Sequence, residues 1–210
     1  MFIEVLDQLR CANGHEATWL VASFERVDNR MILDATLGCP LCFRQYRVTH
    51  GIVYFETSPT DVAAHRRSVS AAMADDAEAA VRVAAFLAAV ERAVLVLAGE
   101  WSTAADGVTA LLPLHAIALN PAVAIRDREE VSIIESPRHI PLAAGAVHGV
   151  ALDASTNDAA MVASAVQVLR PNGRLVAPAE TPVPDGVNVL ARDERHWVAE
   201  KQSSLVQLRR

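Results

Sequence analysis

The second half of the chain alternates two kinds of hydrophobic pattern. Short continuous apolar runs occur at "AVLVLAG", "HAIALN", "VSIIES" and "VHGVALD", each closed by a glycine or a polar residue. Runs of that length without alternation predict strands buried on both faces. Helix-periodic stretches lie between them: "STAADGVTALL" with a capping serine, and "NDAAMVASAVQVLRPNGRLVA", which reads as a helix, a Pro-Asn-Gly turn and a strand. The end, "VNVLARDERHWVAEK", is two alternating runs about a charged turn, hence a hairpin. Alternating strands and helices predict a mainly parallel sheet with helices on both faces, its far edge made antiparallel by the terminal hairpin.

The first 57 residues differ. "EATWLVASFERVDNRMILDATLG" predicts a hairpin, Thr18 to Phe24 and then Met31 to Ala35, and "FRQYRVTHGIVYF" alternates like a strand. Residues 58–92 are alanine-rich and helical in pattern, with Ser58 or Thr60 able to cap the start and Pro59 in the first turn. Asp75-Asp76 marks a break, after which Val83, Phe86, Leu87 and Val90 share a face. The chain therefore divides into a small β module (1–57), a helical connector (58–92), an α/β domain (93–203, with the helix from about 77 packing on it) and a tail (204–210).

Composition narrows the picture. Hydrophobic residues make up 52% and charged residues 21% of 210, enough for a packed core. Mean hydropathy is +0.22, yet no run reaches the ~18 uncharged apolar residues of a membrane span. The start "MFIEVLDQLR" carries acids where a signal peptide needs basic residues, which predicts a cytoplasmic protein. A net charge of −6 argues against nucleic acid as a direct ligand. His65-Arg66-Arg67 reads as a solvated face.

The chemistry lies in the cysteines, all three within the first 42 residues. Cys39 and Cys42 are two residues apart, so one tight turn brings both thiolates to a single ion. Upstream, Cys11 and His15 flank the turn-forming Asn13-Gly14. The resulting C-x3-H … C-x2-C pattern predicts a Cys3His zinc site on two knuckles joined by a hairpin, a zinc ribbon. A redox CxxC would instead open a helix after a strand. His50 is a spare ligand, placed beyond the knuckle. Four protein ligands close the coordination shell, so the ion is expected to be structural. A ribbon this small has little core of its own and is expected to unfold on chelation.

The segment "CPLCFRQYRVTHGIVYF" resembles the small zinc-ribbon proteins that activate tRNA, rRNA and release-factor methyltransferases, through Cys39, Pro40, Cys42, Tyr46, Gly51 and Ile52. In that family the ribbon pairs with a methyltransferase chain. Residues 80 to 202 resemble the class I S-adenosylmethionine (SAM) methyltransferases, whose sheet is closed by a reversed last strand. "AMVASAVQVLRPNGRLVAP" is similar to their helix, "LRPGG" turn and strand, "IPLAAGAVHGVALDAS" to their "LPF-x-DGSFD" loop, and "VLVLAGEWS" to their glycine motif. The resemblance implies a Rossmann-like methyltransferase-type α/β fold beside the β zinc ribbon.

The residues that would hold the cofactor depart from that family. Val96 stands where its first strand carries an acid. Ala98, Glu100 and Ser102 stand at its three glycines, with Gly99 one step out of register and Trp101 adding bulk. Ala118 replaces the ribose-binding acid, with Asn120 the nearest polar substitute. Ser136 replaces the adenine-site acid beside Glu135, and His148 replaces the loop aspartate. Gly99, Glu100, Asn120 and Asp153 are what remains of a pocket. Ribose hydroxyls buried without their acceptor are poorly satisfied, which argues against SAM binding. Asp153, Asn157 and His148 could form a polar cluster, or Asp153 or Asn157 could cap the next helix; Trp101 and Trp197 read as packing residues.

The expectation is thus a non-catalytic, methyltransferase-like protein with a structural zinc ribbon, acting as an accessory, scaffold or interaction subunit through a protein partner or as a homodimer. The alternatives are a divergent SAM-dependent methyltransferase, and a zinc-ribbon protein associated with nucleic acid or the translation machinery.

Overall fold

The computed structural model describes residues 1–62 and 77–203. The Asp75-Asp76 break, the His65-Arg66-Arg67 face and the tail from 204 lie outside the described residues. The strands are β1 (Val21–Asp28), β2 (Met31–Gly38), β3 (Gln45–Thr49), β4 (Ile52–Tyr54), β5 (Val94–Ala98), β6 (His115–Leu119), β7 (Val131–Glu135), β8 (Val147–Ala151), β9 (Leu169–Pro178), β10 (Val187–Arg192) and β11 (His196–Lys201). The α-helices are α1 (Ala77–Phe86), α2 (Ala105–Leu111) and α3 (Ala159–Val168), with 3₁₀ turns at Ile3–Gln8 and Gly99–Ala104.

The eleven strands of the described residues belong to one sheet, in the order β1-β2-β3-β4-β7-β6-β5-β8-β9-β11-β10. Its centre is parallel: β7, β6, β5, β8 and β9 pair in one direction. Strand β11 then runs antiparallel to β9 and carries β10 outside it, as the terminal hairpin predicts. On the opposite edge β4 pairs parallel with β7, Ile52 opposite Ile133 and Tyr54 opposite Glu135. The antiparallel β module thereby continues the α/β sheet, and Phe55 N–H extends the contact to the Glu135 carbonyl at 2.7 Å.

The continuous apolar runs are explained by burial on both faces. Leu95, Leu97 and Ala116 point to a core with Val83 of α1, Leu87 just past it and Val108 of α2. Val96, Ala98, Ile117 and Leu119 point to the other core, with Met161 and Ala165 of α3 and with Phe2, Leu9, Leu37, Tyr46 and Phe55 of the first 57 residues. On the α1 face Val83 and Leu87 are buried, but Val90 lies past the helix and is half exposed.

Two local expectations shift. The first hairpin turns at Asn29, in left-handed conformation with φ 52°, so β1 extends through Glu25, Arg26 and Val27. All three are exposed, so they show no buried apolar alternation, and Arg26 and Glu25 are held across strands by Arg26–Asp34 and Arg47–Glu25 ion pairs of 2.7 Å. The Pro171-Asn172-Gly173 segment does not separate α3 from β9. It is a bulge within β9, where pairing passes from Val147–Leu169 to Gly149–Arg174 and Asn172 takes φ 62°.

The amino-terminal segment is fixed under the sheet. The Phe2 N–H donates to Ser132 Oγ at 3.1 Å, and its ring stacks on His115 at 5.8 Å. His115 Nε2 lies 3.2 Å from Ser132 Oγ. Burial drives the His115 pKa down to about 4, opposed by a hydrogen bond to the Glu129 backbone and by Glu130 and Glu4. The native state thus holds a neutral imidazole whose unfolded counterpart titrates near 6.5. The stabilisation is complete above about 6.5 and is lost as pH falls towards about 4, because the unfolded chain takes up the proton first. Urea midpoints measured from pH 7 to pH 4.5 should fall, and His115→Phe should flatten that fall; an unchanged slope in the variant would show that His115 does not contribute.

Candidate functional site

The structure brings Cys11, His15, Cys39 and Cys42 together, with their ligand atoms all within 4.8 Å of one another. Cys11 Sγ lies 3.6 Å from Cys42 Sγ, and His15 Nε2 lies 3.4 Å from Cys39 Sγ. Zinc–thiolate bonds of about 2.3 Å in a tetrahedron place sulfurs about 3.8 Å apart, so the cluster has the size of a four-ligand metal site. This group can hold a metal ion. His50 is not part of it; it occupies the exposed β3–β4 turn, where its N–H donates to Asp34 Oδ1 at 3.1 Å.

Each knuckle is shaped by backbone hydrogen bonds. The Cys39 N–H donates to the Arg44 carbonyl, and the Phe43 N–H to the Cys39 carbonyl, at 2.9 and 3.0 Å. Phe43 is left-handed at φ 59°, the conformation that lets the chain reverse after Cys42. The Arg44 backbone N–H, first, and then the neighbouring Asn13 and His15 pull the Cys42 thiol down to about 6, against burial. Burial pushes the Cys11 thiol the other way. His15 Nδ1 lies 2.7 Å from the Glu16 carbonyl, which accepts the Nδ1–H and leaves Nε2 free to bind a metal.

A fifth residue supports the cluster. The buried Tyr46 hydroxyl lies 3.2 Å from Cys11 Sγ and accepts the Ala12 N–H at 3.0 Å. Its ring packs on Phe55 at 4.5 Å. Through Tyr46 the first knuckle is tied to β3 and to the core shared with the α/β half. The sequence offered a signal in the alternation of "RQYRV", which turns Tyr46 inward on the knuckle side of β3.

The second candidate region is the crevice at the carboxyl ends of the parallel strands, beside the switch point between β5 and β8 where ligands bind such sheets. Here Gly99, Asn120, Asp153 and the Glu100 backbone are engaged with the chain itself. Gly99, left-handed at φ 56°, sits so close to Asp153 that an added Cβ would lie 2.0 Å from Asp153 Oδ2. Asp153 Oδ2 accepts the Glu100 N–H at 2.8 Å. Asp153 Oδ1 accepts Ser155 Oγ–H and Thr156 Oγ1–H, both at 2.8 Å, and the Ser155 N–H at 3.1 Å. Asn120 clamps Ser136: its Nδ2 donates to the Ser136 carbonyl and its Oδ1 accepts the Ser136 N–H, each at 2.7 Å. The Asp153–Thr156 turn stands between two cavities. One, of about 360 Å³, is lined by Asn120, Glu135 and Thr156 and walled by residues 57–62; the other, of about 430 Å³, is lined by Glu100, Trp101 and His196.

The proposed polar cluster does not form. His148 lies near the amino end of β8, where its Nδ1 accepts the Val94 N–H at 3.2 Å, while Asp153 lies beyond the strand's other end. Neither Asp153 nor Asn157 caps α3. Asp158 does, its Oδ1 accepting from Ala160 and Met161 N–H, and Asn157 donates to Thr181 Oγ1. Trp197 is fully buried and Trp101 half-buried, their indole N–H groups donating to the Thr181 and Leu152 carbonyls.

No family model matches the sequence, and no curated protein does. Solved structures with a similar fold include the complex between the Haloferax volcanii Trm112 methyltransferase activator and a candidate methyltransferase, at 16% identity and TM-score 0.40, covering 57% of this chain and 56% of that one. The chain thus spans little more than half the length of that relative. The 1,6-didemethyltoxoflavin-N1-methyltransferase of Burkholderia thailandensis, solved with its substrate and S-adenosylhomocysteine, is 13% identical at TM-score 0.43 over 85% of this chain and 99% of that one. The precorrin-6y C5,15-methyltransferase of Geobacter metallireducens is 12% identical at TM-score 0.44, over 64% and 93%. The fold is Rossmann-like α/β: a sheet with a parallel centre and helices on both faces, closed by an antiparallel hairpin. Among the described residues no helix is long and apolar enough to cross a membrane.

Removing the Tyr46 hydroxyl should loosen metal binding without emptying the site. Competition against a chromophoric chelator should find Tyr46→Phe about 10–100-fold weaker for a divalent ion such as zinc. Equal affinity would mean that the hydroxyl plays no part.

Proposed function

We propose that this chain is a non-catalytic, methyltransferase-like protein that acts by binding, as an accessory, scaffold or interaction subunit, with structural zinc at Cys11, His15, Cys39 and Cys42. Four protein ligands leave no position for water or substrate, so zinc fixes the knuckles rather than performing chemistry.

The observation that carries this reading is the Asp153 carboxylate against Gly99. A methyltransferase of this fold needs open backbone at that turn so that its cofactor can approach. Here a carboxylate of the chain takes the Glu100 N–H and fills the space above the glycine. A bound cofactor carboxylate there would meet a like charge and would have to displace four internal hydrogen bonds. Asn120, the polar residue nearest the ribose position, is committed to Ser136 on both sides of its amide.

An interaction role is supported by apolar side chains left on the ribbon surface: Phe43 at 81% exposure, Trp19 at 67% and Leu41 at 58%. Loss of so much contact with solvent is favourable when a partner covers it. The sheet edge that β4 occupies is filled from within the chain, so a protein partner or a second copy meets other surfaces.

One observation favours the second reading, a divergent SAM-dependent methyltransferase: the cavity of about 360 Å³ beside Asn120 and Glu135 is open. Calorimetric titration of zinc-loaded protein with SAM and with S-adenosylhomocysteine separates the two. The proposal predicts no heat and no thermal shift with either. Micromolar binding of either one overturns it and favours the enzyme.

A further inference from the structure

The cavity on the far side of Asp153 has a chemistry of its own. It opens at the carboxyl ends of β5, β8 and β9, between α1 and the β10–β11 turn, with a volume of about 430 Å³. One wall is aromatic. The Trp101 indole is locked by its N–H bond to the Leu152 carbonyl at 3.1 Å. The His196 ring lies 5.2 Å from it, and Phe86 of α1 backs both at 6.4 Å. Burial lowers the pKa of His196, so the imidazole adds no positive charge at neutral pH.

The rest of the lining is charged, and unevenly so. Glu100, Glu180 and Glu194 line it and have no ion pair among the described residues. Two guanidiniums, Arg82 and Arg195, also line it, and Arg82 makes an exposed pair with Glu78 at 3.4 Å, so carboxylates outnumber guanidiniums three to two. Asp153 adds no free acceptor, because both its oxygens are engaged internally. An aromatic face within reach of excess carboxylates attracts a cation through the ring quadrupole and through charge together. An anion would meet net negative potential in the same space.

We propose that this second cavity is a binding site for a small organic cation, an ammonium compound whose charged head packs against Trp101 and His196 while Glu100, Glu180 and Glu194 neutralise it. The site is separate from the cavity beside Asn120, and the proposal stands whether or not the chain binds SAM, because its test uses no sulfonium compound.

The test is titration of the full zinc-loaded chain at low salt, by tryptophan fluorescence and saturation-transfer NMR. The probes are choline, tetramethylammonium and phenethylammonium, with 3,3-dimethylbutan-1-ol as the neutral counterpart of choline and phenylacetate as an anion. The expected result is that at least one cation binds about tenfold or more tightly than the alcohol. Trp101→Leu should then reduce that affinity at least about tenfold, and the exposed double variant Glu180→Gln, Glu194→Gln should reduce it and flatten its salt dependence. The double variant touches only the rim, so it reports even where Trp101→Leu fails to fold. No binding by any cation, equal binding of the alcohol or the anion, or an unchanged affinity in the double variant overturns the proposal.

Discussion

The parallel backbone pairing of β4 with β7 is the constraint on which the rest of the molecule depends. Three residues, Ile52 to Tyr54, lie against Ile133 to Glu135 and join an antiparallel ribbon to a parallel α/β sheet. A parallel sheet needs both faces covered, and the ribbon and the amino-terminal turn supply much of one cover. Phe2, Leu9, Leu37 and Phe55 share a core with Val96, Ile117 and α3. The metal cluster then hangs from that core through Tyr46. Order at the knuckles and order in the sheet are therefore linked by packing, not only by chain connectivity.

The same pairing shapes the two sheet edges that remain. β1 and β10 are the outermost strands, and each has a register break, between Phe24 and Arg26 and between Val189 and Ala191. Bulges twist an edge away from flat pairing and reduce unwanted strand addition. Exposed apolar groups lie both on these edge strands, at Val21, Phe24, Val27, Val189 and Leu190, and around the knuckle tip, at Leu41 and Phe43.

Much of the architecture was legible in the sequence, for specific physical reasons. The parallel strands were visible because burial on both faces removes the polar alternation, and the Cys/His cluster was visible as a candidate metal site because thiolates two residues apart can share one tetrahedral ion. Residues such as Glu25 and Arg26 were not legible as strand, since an exposed edge has no hydrophobic period. The β4–β7 pairing joins positions about eighty residues apart, and no local pattern encodes which edge a short strand will choose. The departures of Ala98, Glu100 and Ala118 from the motifs that this segment resembles could be read. What takes their place could not: Asp153 reads equally as a cap, a ligand or a turn residue until Gly99 is seen beside it, and the capping role falls to Asp158.

Amide hydrogen exchange, followed residue by residue on zinc-loaded protein, tests the continuity of the sheet most directly. Continuity predicts that the hydrogen-bonded amides of β3 and β4 exchange only with global unfolding, at the same rates as those of β6 and β7. Exchange of β3 and β4 through a separate, lower-energy opening, with β6 and β7 still protected, would show that the ribbon is an independent module and would contradict the account.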